Sequence, residues 1–268
     1  MSKPDESVDT TAAEAYEKYM VPGMFLHWAE MLVRIAAPQP DERVLDVACG
    51  TGIGARLVAE VFGGRGKVVG LDIDKGVIEV ARKIAGRAMQ IEWHCASALS
   101  MPFDVASFDL CLCFQGLQFL PDRAAGLAEL RRVLKPTGRL VASIWGPLEA
   151  NAGHCAVVAA LERQGVDAAP AKRACSFADP EEIHTAAAQA GFTRIDIQTE
   201  DGASRFESIA SFLDGMTIGS PSTRHAVARL SEAGRAAFVK DVSTALEPYV
   251  RNGPLEYPMR THILVARS

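Results

Sequence analysis

Residues 44–55, VLDVACGTGIGA, place a carboxylate just ahead of a glycine-rich turn. A short apolar run carries Asp46 near its end and leads into Gly50 and Gly52, where any Cβ would keep a ligand away from the backbone. The periodicity from Ile53 to Phe62 is helical, so the turn joins a strand to a helix. In open α/β sheets, ligands bind in the crevice at this edge of the strands. A second apolar run, KVVGLD (67–72), ends in Asp72, 20 residues after Gly52. A carboxylate there can accept from both hydroxyls of a ribose.

Two ligands satisfy this spacing. Gly50-x-Gly52-x-x-Ala55 with Asp72 downstream fits a dinucleotide fingerprint, so a nicotinamide-dependent oxidoreductase is one reading. A pyrophosphate is a dianion that wants an uncrowded helix N-terminus. Asp46 puts negative charge beside that turn, which suits a ligand carrying a cationic amino group and a sulfonium.

The elements that must position these residues alternate along the chain. RVLDVA (43–48), KVVGLD (67–72), MQIEWH (89–94), FDLCLCF (108–114) and GRLVASIW (138–145) read as strands, with helices over 53–62, 75–85 and 124–134. The alternation implies βαβ units and a parallel sheet. After Trp145 the rhythm changes. Residues 150–164 are helical, Asp179-Pro180 caps and starts another helix, TRIDIQTE (193–200) is a strand, 206–247 is largely helical with an interruption around Gly219-Ser220-Pro221, and 257–267 is a final strand. Thr11 to Ala37 is helical with a break near Pro22-Gly23, and residues 1–10 read as a disordered tail. The expected fold is α/β: a Rossmann-like, seven-stranded, mostly parallel sheet flanked by helices, with helical lid insertions. Residues 1–40 form an N-terminal helical lid, and 41–268 a domain with insertions near 150–178 and 206–247.

Composition narrows the function. A net charge of −5 and the lack of any Lys/Arg cluster argue against nucleic acid as a partner. No apolar run reaches the roughly 18 residues that span a bilayer, and the polar, acidic N-terminus has no signal-peptide core. The expectation is a cytoplasmic protein acting on a small molecule. The six cysteines form no CxxC pair and the six histidines no HxxxH or HxH spacing, so reduced thiols and no metal are expected.

The glycine turn resembles motif I of the class I S-adenosylmethionine-dependent methyltransferases, in the branch around ubiquinone/menaquinone-biosynthesis and natural-product methyltransferases. VVGLDID (68–74), MPFDVASFDLCLCFQGLQFLPD (101–122), LAELRRVLKPTGRLVASIW (127–145) and DPEEIHTAAAQAGF (179–192) resemble the same family in order. The resemblance implies S-adenosyl-L-methionine as cofactor. Asp46, Ala48, Gly50, Thr51 and Gly52 would hold its methionine portion, Asp72 the ribose and Ile73 the adenine face. Ala96 and Ser97 would meet the adenine edge, and Phe114 and Gln115 would lie under the sulfonium. The chain departs from the family at 95–98, where CASA stands in place of an acidic residue for the adenine amino group.

The activity so implied is methyl transfer to a small organic acceptor, with carbon or oxygen favoured, in a biosynthetic setting and with a homodimer as the possible assembly. The alternative is a methyltransferase-fold protein without methyl transfer, a cofactor-dependent cyclase or a regulatory partner. Tyr19, Phe25, His27, Gln118, Trp145, His154 and Met216 are the acceptor-site candidates. Each also has a plainer role, as core filler for Trp145 and as a surface amide for Gln118. No catalytic base stands out. Because the sulfonium already makes the methyl electrophilic, alignment and water exclusion are the main demands on the protein.

Overall fold

Apolar residues on both faces of the first strands force the sheet to be buried on two sides. Leu45, Val47 and Cys111 point into one core and Val44, Leu110 and Leu112 into the other, the pattern of a parallel sheet covered by helices. In the computed structural model, which describes residues 8–268, seven strands form one sheet in the order β3-β2-β1-β4-β5-β7-β6. They are β1 (Arg43–Val47), β2 (Lys67–Asp72), β3 (Ile91–Cys95), β4 (Phe108–Phe114), β5 (Leu134–Trp145), β6 (Thr193–Phe206) and β7 (Leu255–Arg267). The first five pair in parallel; β7 joins β5, and β6 joins β7, antiparallel. Strand order reverses between β1 and β4, so the carboxyl ends of those strands flank a crevice. Residues 1–7 of the expected tail lie outside the described residues.

The helices are α1 (Thr11–Ala15), α2 (Leu26–Ala36), α3 (Ile53–Phe62), α4 (Lys75–Ala85), α5 (Arg123–Val133), α6 (Ala152–Arg163), α7 (Ala169–Lys172), α8 (Pro180–Gln189), α9 (Ile209–Asp214), α10 (Pro221–Ala228) and α11 (Glu232–Leu246). Sequence punctuation explains their ends. Asp74, Asp122 and Asp179 cap α4, α5 and α8 with their side chains, and Pro180 opens α8 as expected.

Three expectations need correction. The N-terminal helix does not break at Pro22-Gly23. Residues Tyr16–Phe25 continue between α1 and α2 as a wide π-helical segment. Proline crowds the carbonyl one α-turn back, and wider winding relieves that crowding. A second π-helical segment, Gly215–Gly219, packs against the first. Cβ atoms on Gly215 and Gly219 would sit 2.7 Å from Met20 Sδ and from Tyr16 N, so glycine lets the two segments touch. Finally, β6 does not stop at 200 but pairs with β7 as far as Phe206↔Leu255, and β5 begins at Leu134 rather than at Gly138. The extended hairpin joins α6, α11 and both π-helical segments around one apolar cluster that includes Met20, Met24, Trp28, Trp145, Phe206, Phe212 and Tyr257.

Candidate cofactor and acceptor site

The strand–turn–helix unit brings two carboxylates to the crevice. Asp46 is fully buried; one oxygen accepts the Ala55 N–H at 2.8 Å, and the other has no partner. Asp72 accepts the Gly50 N–H at 2.9 Å and the Asp74 N–H at 2.9 Å. Burial, with a smaller push from Asp72, raises the Asp46 pKa to about 7. Burial likewise raises Asp72. Two desolvated carboxylates side by side make a place for positive charge. They also occupy donors at the N-terminus of α3, Ala55 N–H and the turn N–H of Gly50, which a pyrophosphate would need.

The backbone around the crevice is held in the left-handed region at Ala48 (φ 55), Gly50 (φ 55), Gly52 (φ 84) and Gln115 (φ 51). Non-glycine residues in that region carry strain that folds retain chiefly at functional sites. Gly54 permits a close approach, since its Cβ would lie 2.3 Å from the Phe114 ring and 2.7 Å from Asp46 Oδ2. Gly52 also lies against β3. A Cβ there would meet Trp93 of β3 at 2.2 Å, so its role in the structure is to let the turn pack on that indole.

A cavity of about 20 Å³ remains beside the turn, lined by Tyr16, Phe25, Ala48, Gly54, Gln115 and Ser143 among others. That is room for about one water molecule. The segment Tyr16–Phe25 covers it. The Tyr16 ring lies 3.7 Å from the Cβ position of Gly50 and 5.2 Å from the Phe25 ring, centroid to centroid. Thr51 donates to Glu17 Oε2 at 2.5 Å, and Arg56 bonds Glu17 Oε1 at 2.8 Å and the Thr51 carbonyl at 2.7 Å.

Of the predicted cofactor residues, Asp46, Ala48, Gly50, Asp72, Phe114 and Gln115 gather at this crevice, and Thr51 lies in the turn with its hydroxyl engaged by Glu17. Ile73 is exposed beside Asp72. Ala96 follows β3, its N–H bonded to the Asp72 carbonyl at 2.9 Å, and the Ser97 hydroxyl accepts from Leu99 N. Of the acceptor candidates, Trp145 and Met216 belong to the apolar cluster, Phe25 packs against it, His154 lies beside Trp145, and Tyr19 flanks it with its Cβ 3.3 Å from the Cβ position of Gly215. His27 does not: it is exposed beside Trp28, because the helix turns its neighbour inward instead. Gln118 is buried rather than a surface amide, and its Nε2 donates to Gln115 Oε1 at 3.0 Å. Gln115 in turn donates to Thr261 Oγ1 at 3.1 Å. Glu17, Gly54, Arg56 and Thr261 were not among the candidates. Only Gly54 carried a local signal, as the third glycine of the turn; the others reach the crevice through pairing across tens of residues.

Residues 45–142 match the methyltransferase domain family. The match takes in a little over a third of the chain. The matched span holds Asp46, the glycine turn, Asp72, Phe114 and Gln115. A 2-phytyl-1,4-naphtoquinone methyltransferase of Synechococcus elongatus is 39% identical over 121 residues, covering 44% of this chain and 52% of that protein. The O-methyltransferase cnsE of Penicillium expansum is 37% identical over 115 residues, covering 42% of this chain and 41% of that protein. The chain thus spans about half the length of these curated relatives. The phosphoethanolamine N-methyltransferase 2 of Haemonchus contortus, solved with S-adenosylhomocysteine, shares the fold with a TM-score of 0.62. It is 18% identical, with 97% of this chain and 57% of that one covered.

Proposed function

We propose that this protein binds S-adenosyl-L-methionine and transfers its methyl group to a small organic acceptor, residues 1–40 serving as the lid over a catalytic domain spanning 41–268. The observation that carries this reading is the buried Asp46, with one unpartnered oxygen beside a glycine turn inside the matched domain. The residues fit the cofactor. Asp46 supplies negative charge for the amino group, and Asp72 carboxylate oxygens that accept from the ribose hydroxyls. Gly50 lets the backbone come close, and the exposed Ile73 offers an apolar face to the adenine.

The bound cofactor would supply an electrophilic methyl on a sulfonium. The chain's own residues orient and dry the reaction. Tyr16 and Phe25 close the crevice against water, and Glu17 fastens them to the turn through Thr51 and Arg56. The Gln118–Gln115–Thr261 row fixes the Gln115 amide at the end of β4. Calorimetry decides the reading: S-adenosylhomocysteine should bind in the micromolar range and NAD(P) not measurably. Tight NAD binding with no response to S-adenosylhomocysteine would reject it.

A further inference from the structure

Trp28 Nε1 and His154 Nδ1 are buried with no hydrogen-bond partner, and the Ser204 and Tyr257 hydroxyls, buried beside them, have at most each other. Folded proteins pair nearly all such groups, because an unmade bond leaves the cost of desolvation uncompensated. These four belong to one place. The Trp28 ring lies 2.7 Å from the Cβ position of Gly202 on β6. Two residues further along the same face stands Ser204, the cross-strand partner of Tyr257. A Cβ on Gly153 would touch Tyr257 at 2.6 Å, and His154 is the next residue. The Trp145 ring, 5.9 Å from Trp28 and 6.1 Å from His154, closes the circle.

The same face of β7 leads back to the crevice. Thr261 and Tyr257 are four residues apart on one side of the strand, and Thr261 takes the hydrogen bond from Gln115. At that end Gln118 Oε1 is also buried without a partner. The space between is filled from the lid, by Met20 and Met24, with Gly23 pressed on the Phe206 ring. Methionines are unbranched and repack readily, so they can give way to a ligand. Among the described residues the buried charged side chains are Asp46 and Arg56, both at the turn, so no countercharge lines this region. Burial depresses the His154 pKa to about 4, so its imidazole is neutral near pH 7.

We infer that the lid-covered face of the β6–β7 hairpin is the acceptor site, and that it takes an uncharged, planar molecule bearing hydroxyl or carbonyl oxygens at separated edges. This rests on the methyl-transfer reading for its purpose, while its geometry stands apart from it. The indole N–H of Trp28 only donates, so it requires an oxygen acceptor on the ligand; the Ser204 and Tyr257 hydroxyls and the imidazole can donate or accept. Trp28, Trp145, Phe206 and Tyr257 provide aromatic walls for a flat body. A charged acceptor would be desolvated with nothing to balance it.

The test uses the full chain with 1,5-dihydroxynaphthalene, naphthalene and 1-naphthoate as probes, followed by tryptophan quenching with and without S-adenosylhomocysteine. The diol should bind, and the naphthoate at least about tenfold more weakly. Tyr257→Phe and Ser204→Ala should each weaken the diol by about five- to tenfold, the worth of a neutral hydrogen bond, and leave naphthalene unchanged. The assignment is overturned if the parent fails to bind the diol, if neither variant weakens it, or if the naphthoate binds as well. Failure of S-adenosylhomocysteine to bind the parent would instead indict the cofactor reading, and titrations without it still decide the acceptor face.

Discussion

Asp46 holds the Ala55 N–H with one carboxylate oxygen, at 2.8 Å, and keeps the other buried and unpartnered. Its pKa is raised by burial from 3.8 to about 7, so between those values the folded protein keeps a proton that the unfolded chain releases. The contribution to stability is therefore full below about pH 4 and is lost as the pH rises through about 7. A cationic ligand favours the ionised form, so S-adenosylhomocysteine should bind more tightly from pH 6 to 8, by at most about tenfold per unit, with proton release. Asp46→Asn should flatten both trends. Calorimetry in buffers of different ionisation enthalpy reads the proton directly; a pH-independent affinity in the parent would show that this carboxylate does not face the ligand.

Asp72 serves the turn as well as the proposed ribose contact, because it accepts from both Gly50 and Asp74. Asp72→Ala should weaken S-adenosylhomocysteine binding by about 1–3 kcal/mol, the value of charge-assisted hydrogen bonds. Equal affinity in a variant with an unchanged circular-dichroism spectrum would make Asp72 a purely structural residue.

Gly54 sits where a methyl group has no room. Its Cβ would press on Phe114 and on Asp46 Oδ2, both nearer than ordinary contact. Gly54→Ala should destabilise the fold by about 1–3 kcal/mol through overpacking, lowering the melting temperature, and should weaken the cofactor further by displacing Asp46. An unchanged melting curve would mean that the Phe114 ring moves aside freely.

The half of the candidate site that was legible in the sequence is the half built from adjacent residues. Asp46, Gly50 and the start of α3 lie within one strand–turn–helix, and Asp72 ends the next strand, so periodicity and glycine placement expose them together. The partner of Gly52 was not legible, because Trp93 reaches it only once β3 has docked on β2. Nor was the winding through Pro22, since a proline and a glycine in succession normally end a helix and only the packing of Gly215 and Gly219 shows why this one continues. The proposed acceptor face was hidden for a related reason. Gly202, Ser204 and Phe206 face inward only because β6 runs past Glu200 alongside β7, and the polar run around Asp201 reads as a strand end.

The lid offers the last prediction. Removing residues 1–30 outright would also remove Met20, Met24 and Trp28, all buried in the cluster under the hairpin, so folding would suffer along with function. A single contact is a cleaner probe. Glu17 ties Tyr16–Phe25 to the glycine turn by accepting from Thr51 and Arg56, the Arg56 side chain being only 9% exposed. Glu17→Gln keeps the shape and removes the charge. Losing one charge-assisted bond of about 1.5 kcal/mol shifts the lid toward opening by roughly tenfold. Stopped-flow tryptophan fluorescence should then show S-adenosylhomocysteine associating and dissociating faster, with the equilibrium affinity altered less than either rate. Rates equal to the parent's would show that cofactor passage does not depend on this latch.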